Sequence, residues 1–224
     1  MTVKITSMEL LEEWDWKTGK PAGRSVTRSE SYKKGIPHEG VHLWIVRDIS
    51  GSTEILFQHR AKNKALYPDC LDITVGGHVP FGLTTNKIQK EAMEEIGISP
   101  LDSELIDLGY MRFEEKTEDY HHREFQHVYL MKNSLPLDEY SFTDGEVIGL
   151  YSVPADFIET LLVKDSSLRV YGFDGTALIE RTLSRRDFHP LLFSPVMRNY
   201  MNIIIKGARE LVSSGKVSVR MSEK

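Results

Sequence analysis

The chain has 224 residues, a formal net charge of −5, 40% hydrophobic residues and 27% charged residues. This composition is typical of a globular protein, and the length suits one domain with extensions. The negative charge argues against a general binder of nucleic-acid polymers or membrane surfaces. The single cysteine, Cys70, excludes an internal disulfide framework. No apolar run is long enough to cross a membrane and no signal-peptide core opens the chain, so we expect a cytoplasmic protein.

The first quarter of the chain predicts strands that are separated by turns. Residues 5–16 and the turn signal at 17–21 predict a strand, a tight turn and then either a return strand or an extended arm. A short helix is expected at 28–34. The β-branched and aromatic runs at 41–46 and 54–60 are separated by a polar turn, and they predict a hairpin in the core of a sheet.

The rest of the chain predicts strands alternating with helices. Further strands are expected at 71–75, 101–113 (with a bulge near Gly109), 125–131, 147–153 and 167–172. Helices are expected at 85–96, 154–162 and 193–213. Residues 114–123 predict a charged loop, and residues 181–187 predict a loop or a single turn. Strands flanking a few helices suit a mixed α+β fold.

Three glutamates, Glu91, Glu94 and Glu95, cluster on one side of the helix expected at 85–96, for which Thr84 or Thr85 is the expected N-cap. The apolar stripe of this helix is Ile88, Ala92 and Ile96. Clustered like charges cost a helix a few tenths of a kcal/mol each, a cost that a cation removes. Mg²⁺ is commonly held by carboxylates together with substrate phosphates. The alternative is a solvated acidic face.

The segment from Gly76 to Ile98 resembles the signature box of the Nudix hydrolases. Lys90-Glu91-Ala92-Met93-Glu94-Glu95-Ile96-Gly97-Ile98 matches the second half of that box, with Lys90 in place of its arginine. The spacing places the opening glycine of the box at Gly76. It places Gly82 where the first glutamate of the box is expected, so the loop half of the box is altered.

The resemblance covers roughly residues 5–165 and extends to the branch of the family near isopentenyl-diphosphate isomerase. It implies an α+β fold, a Nudix-type α/β/α sandwich with a mixed sheet. A strand arm at residues 1–36 would precede the Nudix domain at 37–165. A C-terminal extension at 166–224 would pack its long helix on that domain.

The resemblance also implies a chemistry, the hydrolysis of a small-molecule diphosphate linked to another moiety. Mg²⁺ or Mn²⁺ would be held by Glu91, Glu94 and Glu95, with a backbone carbonyl near Gly76 as a further ligand. Lys90 would orient the glutamates, although lysine lacks the planar fork of arginine.

The remaining site residues are assigned on weaker grounds. Glu124 is the first candidate for the general base, in competition with Glu114, Glu115 and Glu118. The residues expected to contact substrate phosphates are Arg60, Lys64, Gly76, Gly77 and His78.

Two other functions stay open at this point. Because Gly82 and Lys90 depart from the box, the domain could instead sense a nucleotide-like ligand without turnover. An isopentenyl-diphosphate isomerase is the weaker alternative, since that family carries a catalytic cysteine where Gly76 stands here. Homodimers are common in the family, and the N-terminal arm and the C-terminal helix are the candidate surfaces.

Overall fold

A mixed sheet of nine strands forms the centre of the protein, for which a computed structural model describes residues 8–222. Ahead of it, β1 (Leu10–Asp15) and β2 (Lys20–Thr27) form a separate antiparallel hairpin. The strands of the central sheet are β3 (His38–Ile49), β4 (Ser52–Arg60), β5 (Leu71–Asp72), β6 (Val75–His78), β7 (Ile106–Lys116), β8 (His121–Lys132), β9 (Val147–Pro154), β10 (Ser167–Phe173) and β11 (Leu178–Ser184).

The sheet runs in the order β11-β10-β9-β4-β3-β8-β7, with β5 paired to β4 and β6 paired to β3. All pairs are antiparallel except β3 with β8, which run parallel. The helices are α1 (Arg28–Lys34), α2 (Lys87–Ile96), α3 (Ala155–Val163) and α4 (Arg198–Ser214).

Alternation along β3 builds a core on each face of the sheet, because successive side chains of a strand point to opposite faces. Leu43 and Ile45 pack in the cluster that includes Ile88, Ala92 and Ile96 of α2. Trp44 and Val46 pack in the cluster that includes residues of α3 and α4. The α+β fold with helices on both faces of a mixed sheet is therefore confirmed.

The predicted hairpin at β3–β4 is present, and β1 is followed by a return strand, β2, rather than by an extended arm. The predicted bulge lies between Asp107 and Gly109, where the register of β7 against β8 shifts. The expected N-cap of α2 is wrong. Asn86, with φ of 54°, occupies that position, and it forms no side-chain capping bond within the described chain.

Two predicted loops are largely strands. Residues 114–123 belong mostly to β7 and β8, and the actual loop is residues 117–120. Residues 181–187 continue β11 as far as Ser184, because that segment pairs with β10 and its polar side chains alternate with partly or fully buried ones.

The long C-terminal helix begins at Arg198, five residues later than expected, after the turns that follow β11. It buries one face against the sheet, where the hydroxyl of Tyr200 accepts a hydrogen bond from the indole of Trp44 at 2.7 Å. Within residues 8–222, no helix combines the length and the hydropathy required to cross a membrane.

Candidate functional site

A cavity of about 530 Å³ lies where β3, β6, β8 and α2 meet. Its lining includes most of the residues that the sequence singles out: Arg60, Lys64, Gly76, Gly77, His78, Lys90, Glu91, Glu94, Glu95, Glu115 and Glu124. The turns after β11 contribute His189, Leu191, Leu192 and Met197. The volume is that of a site for a small molecule.

The helix α2 carries its glutamates to the cavity because its apolar stripe is buried on the sheet. Ile88, Ala92 and Ile96 are each at most 2% exposed. Gly97 ends the helix in the left-handed conformation, with φ of 74°, and its N–H donates back to carbonyls of the last turn. The burial of the stripe fixes the rotation of the helix, and so fixes which side chains face the cavity.

Glu95 is the most enclosed of the three glutamates, at 4% exposure. Its Oε2 accepts a hydrogen bond from the backbone N–H of Gly76 at 3.0 Å and a longer one from Gln58 at 3.5 Å. Burial raises the pKa of Glu95 well above its usual value, and the hydrogen bond from Gly76 opposes that rise. The positive charge of Lys64 opposes the rise as well, so Glu95 is a carboxyl group held in place by hydrogen bonds with a cation nearby.

Lys90 holds the other two glutamates together. Its Nζ lies 3.0 Å from Glu91 and 2.6 Å from Glu94. The pKa of Glu91 is raised, chiefly by burial, although Lys90 works to lower it. A side chain at Gly77 would overlap the carboxylate of Glu91, so any larger residue there would displace Glu91 from its present position.

Gly82 stands where the box has its first glutamate, and its backbone conformation favours glycine. Its φ of 81° is in the left-handed region, which a glutamate side chain rarely adopts. In the part of the chain described here, Lys90 bonds to Glu91 and Glu94 instead of to a residue of the loop.

A carboxylate group that the sequence analysis missed lies beside α2. Glu95, Asp144 and Glu146 each offer an oxygen, and these three atoms lie within 4.8 Å of one another. Lys64 forms an ion pair with Glu146. The signal for Asp144 was the Asp-Gly turn ahead of β9, whose distance from the box in sequence hides its proximity in space.

Glu124 and His78 belong to a different group. Their side chains meet His38 and His122, and the four offer ligand atoms within 4.8 Å of one another. Burial lowers the pKa of His38 to about 4. The pairing of β3 with β6 and β8 brings these residues together, and the sequence alone does not reveal that pairing.

Arg60 is engaged on three sides. Its guanidinium donates to the carbonyls of Leu66 and Tyr67 and to the carboxylate of Asp72, at 3.0, 2.9 and 3.2 Å. These bonds hold the loop ahead of β5. Arg60 lines the cavity, and these bonds use three of the five N–H donors of its guanidinium.

The three other candidates for the general base lie at different distances from the cavity. Glu115 lines the cavity and accepts a hydrogen bond from Tyr67 at 2.5 Å. Glu114 is outside the cavity lining and pairs with His121 and Arg123. Glu118 is exposed in the loop between β7 and β8.

No protein-family model matches the chain. The chain is 30% identical over 136 residues to an uncharacterized Nudix hydrolase of Clostridium acetobutylicum, a match that covers 61% of this chain and 66% of the relative. It is 29% identical over 155 residues to Nudix hydrolase 3 of Arabidopsis thaliana, covering 66% of this chain and 20% of the relative. The matches thus span less than two thirds of each relative's length.

The fold is similar to that of a solved protein, DR0079 from Deinococcus radiodurans. The TM-score is 0.52 at 19% identity, over 68% of this chain and 88% of that one. With the glycine loop, the glutamate helix and the mixed sheet in place, the chain is similar to the Nudix hydrolases named among these curated relatives.

Proposed function

We propose that this protein is a divalent-metal-dependent hydrolase of a small-molecule diphosphate linked to another moiety, with water attacking phosphorus. The observation that carries the proposal is that α2 and the Asp144 turn together bring several carboxylates to one part of the cavity. Diphosphate hydrolysis depends mainly on positioning and charge, and it needs such a site more than an unusual side chain.

The carboxylates fit a hard divalent cation. Glu95, Asp144 and Glu146 already present three oxygens to one point, and carboxylate oxygen is the ligand that Mg²⁺ and Mn²⁺ prefer. We propose that Glu91, Glu94 and Glu95 hold the ion, with Asp144 and the carbonyl near Gly76. When bound there, the ion neutralises phosphate charge and lowers the pKa of a nearby water.

The remaining roles follow from the contacts of each side chain. Lys90 keeps Glu91 and Glu94 together and limits their repulsion. Lys64, beside Glu146, is the cation that we assign to the substrate phosphates, and Gly76 and Gly77 allow the phosphates close approach. Arg60 and His78 would contact the substrate from the cavity wall.

For the general base we prefer Glu146 to Glu124. Glu146 lies in the same carboxylate group as Glu95, whereas Glu124 faces three imidazoles. Lys64 holds the pKa of Glu146 below its usual value against the effect of burial, so that Glu146 is ionised and able to accept a proton.

The test is a panel of diphosphates assayed for phosphate release with Mg²⁺ or Mn²⁺ and with a chelator. Glu95→Gln keeps an acceptor for the N–H of Gly76 and removes the charge, so we expect a rate loss of at least about 100-fold with an unchanged unfolding midpoint. Glu139→Gln, an exposed change outside the cavity, is the matched control. Undiminished turnover in Glu95→Gln would rule out this site.

Two further variants distinguish the metal-binding role of Asp144 from the general-base role of Glu146. Asp144→Asn should raise the metal concentration needed for half-maximal rate. Glu146→Gln should lower kcat with little change in that concentration.

The same assays test the two alternative functions. If wild-type protein is stabilised by a nucleotide-like ligand but turns over none of the panel, the protein is a sensor. Isotope exchange into isopentenyl diphosphate would instead reveal an isomerase.

We also propose the division of the chain into an arm at 1–36, a Nudix domain at 37–165 and an extension at 166–224. The separate β1–β2 sheet supports the first boundary. A homodimer and a cytoplasmic location are proposed on the family resemblance and on the free Cys70. Gel filtration at several protein concentrations tests whether the protein forms a homodimer.

A further inference from the structure

We propose that a second cavity, under the turn between β1 and β2 and here called the turn cavity, binds a small aromatic carboxylate. The turn cavity measures about 250 Å³. The proposal goes beyond the hydrolysis described above and does not depend on it. It rests on the separation of the turn cavity from the carboxylates of α2, on its aromatic walls and on a guanidinium without an ion-pair partner. The lining residues are Trp14, Thr18, Gly19, Tyr110, Arg112 and Phe125.

The turn cavity and the cavity that holds the carboxylates of α2, here called the carboxylate cavity, lie on opposite faces of β7 and β8. Glu124 and Gln126 line the carboxylate cavity, whereas Phe125, between them in β8, lines the turn cavity. Successive side chains of a strand point to opposite faces, so the strand separates the two cavities. Arg112 lies opposite Phe125 in the antiparallel register of β7 and β8. Within the described chain, no residue lines both cavities.

Aromatic rings form the walls of the turn cavity. Trp14 and Phe125 are 8% and 3% exposed, and their ring centroids are 5.2 Å apart. The ring of Tyr110 lies 5.8 Å from that of Trp14. The hydroxyl of Tyr110 donates to Glu39 at 3.0 Å, and Lys87 neutralises that acid at 2.6 Å. The walls therefore offer surfaces that favour contact with another planar ring.

Arg112 supplies the positive charge of the turn cavity. Its guanidinium carbon lies 5.8 Å from the ring centre of Trp16 and 5.5 Å from that of Phe125. Its Nη2 donates to the carbonyl of Lys17 at 3.2 Å, which ties β7 to the turn. Within residues 8–222, no carboxylate pairs with Arg112, and its buried Nε has no hydrogen-bond partner. A buried donor without an acceptor is unfavourable, so the position favours a ligand that brings acceptor atoms.

The charges of the turn also favour an anion. Lys17 and Lys20 are exposed there. The carboxylate of Asp15 accepts hydrogen bonds from the backbone N–H groups of Lys17 and Thr18, at 3.0 and 2.7 Å. Asp15 is thus engaged by the backbone of the turn, and the side chains of the turn that remain charged toward solvent are cations.

The volume and the chemistry select the class of ligand. At about 30 Å³ for each water molecule, 250 Å³ is room for about eight waters, close to the size of one aromatic ring with a carboxylate attached. The ring would contact Trp14 and Phe125. The carboxylate would accept two parallel hydrogen bonds from the guanidinium of Arg112. Acetate lacks the ring and benzyl alcohol lacks the charge, so each should bind more weakly than benzoate.

The test follows the binding of benzoate to the full chain through the NMR signals of the tryptophan indole N–H groups. The chain has three tryptophans, and Trp44 lies in the core on the other face of the sheet, where it bonds to Tyr200. We expect benzoate to shift the signals of Trp14 and Trp16 and to leave that of Trp44 in place. Trp14→Phe and Trp16→Phe assign the signals. The readout is independent of hydrolysis.

Substitutions at Arg112 test the recognition of the carboxylate. Arg112→Gln removes the charge and should weaken benzoate binding by about 10–100-fold, the range expected for hydrogen bonds to a charged group. Arg112→Lys keeps the charge without the planar fork, and its affinity should lie between the two.

The matched control is Arg123→Gln. The guanidinium carbon of Arg123 also lies over Trp16, at 5.4 Å from the ring centre, but Arg123 does not line the turn cavity and it pairs with Glu114. Its affinity for benzoate should stay within about threefold of the wild type, since exposed charges are screened. Glu95→Gln, in the carboxylate cavity, should bind benzoate as the wild type does.

The proposal is overturned if about 10 mM benzoate shifts neither Trp14 nor Trp16, or if Arg112→Gln binds benzoate as the wild type does. Equal shifts with acetate would mean that only an anion is bound, and equal affinity for benzyl alcohol would mean that the charge is not recognised; either result contradicts the proposal. A loss of benzoate binding in Glu95→Gln would place the ligand in the carboxylate cavity and also overturn it. If Arg112→Gln does not fold by circular dichroism, Arg112→Lys replaces it, with a loss of at least about threefold as the criterion.

Discussion

The protonation state of His42 depends on Tyr200 of α4 and, through Tyr200, on Trp44 of β3. The Nε1–H of Trp44 donates a hydrogen bond to the hydroxyl of Tyr200. The hydroxyl of Tyr200 in turn donates its own proton to the Nδ1 of His42, at 3.0 Å. His42 is therefore neutral, with its proton on Nε2. Burial lowers its pKa below the ordinary 6.5, and the charge of Glu124 opposes the shift.

This depressed pKa predicts a pH dependence of stability. The folded chain binds fewer protons at His42 than the unfolded chain, so this contribution to the free energy of unfolding is complete above pH 6.5 and falls as the pH drops below it. His42→Asn keeps an acceptor for Tyr200 and cannot ionise in this range. Urea unfolding at pH 5 and pH 8 should show a smaller difference for His42→Asn than for the wild type. An equal difference would assign the dependence to other groups.

At the scale of elements, α1 is short, so its stability depends on its ends. Thr27 caps its first turn by accepting a hydrogen bond from the N–H of Glu30 at 3.2 Å, and Gly35 ends it in the left-handed conformation. The helix carries the hydroxyls of Ser31 and Tyr32 to three imidazoles, those of His38, His78 and His122. The loss of order in α1 would therefore disturb the positions of these imidazoles.

We predict that Thr27→Ala lowers the free energy of unfolding by about 1 kcal/mol, the usual cost of removing an N-cap. Thr27→Ser retains the hydroxyl and should stay within a few tenths of a kcal/mol of the wild type. Urea denaturation gives both values, and amide hydrogen exchange in α1 should rise only for the alanine variant. Equal losses in both variants would mean that the methyl group, and not the cap, is responsible.

The box helix was predictable because its evidence is local. The stripe of α2 and its three glutamates lie within a single helix, and its period shows both faces. Asp144 and Glu146 lie about fifty residues further along the chain, and the group of Glu124 with three histidines draws on three strands. Strand pairing brings these residues together, and one sequence does not specify which strands will pair.

At the scale of the whole molecule, the C-terminal region is part of the core. The hairpin β10–β11 extends the sheet from β9, and α4 covers one face of that sheet. The sequence predicted the helix and β10 from their periodicity. It missed most of β11 because the middle of that strand, Glu180-Arg181-Thr182, is polar and at most partly buried, which resembles a loop.

We predict that Ile204→Ala, at a fully buried position of α4, lowers the free energy of unfolding by about 2–5 kcal/mol. The loss combines the transfer free energy of the removed atoms with the cavity that they leave. Asn202→Ala, on the exposed face of the same helix, is the matched control and should change stability by less than about 0.5 kcal/mol. If the two variants unfold at the same urea concentration, α4 does not contribute to the cooperative core.

The anchoring of Glu95 has a consequence for the entropy of cation binding. Ordering a free glutamate side chain costs about 1.5–2 kcal/mol in lost rotamers. The N–H of Gly76, together with the burial of Glu95, has already imposed that order during folding, whereas Glu94 is half exposed. The two carboxylates therefore differ in the conformational entropy that they lose when a cation binds. Glu95 is already ordered and loses little, whereas Glu94 must give up rotamer freedom to contact the ion.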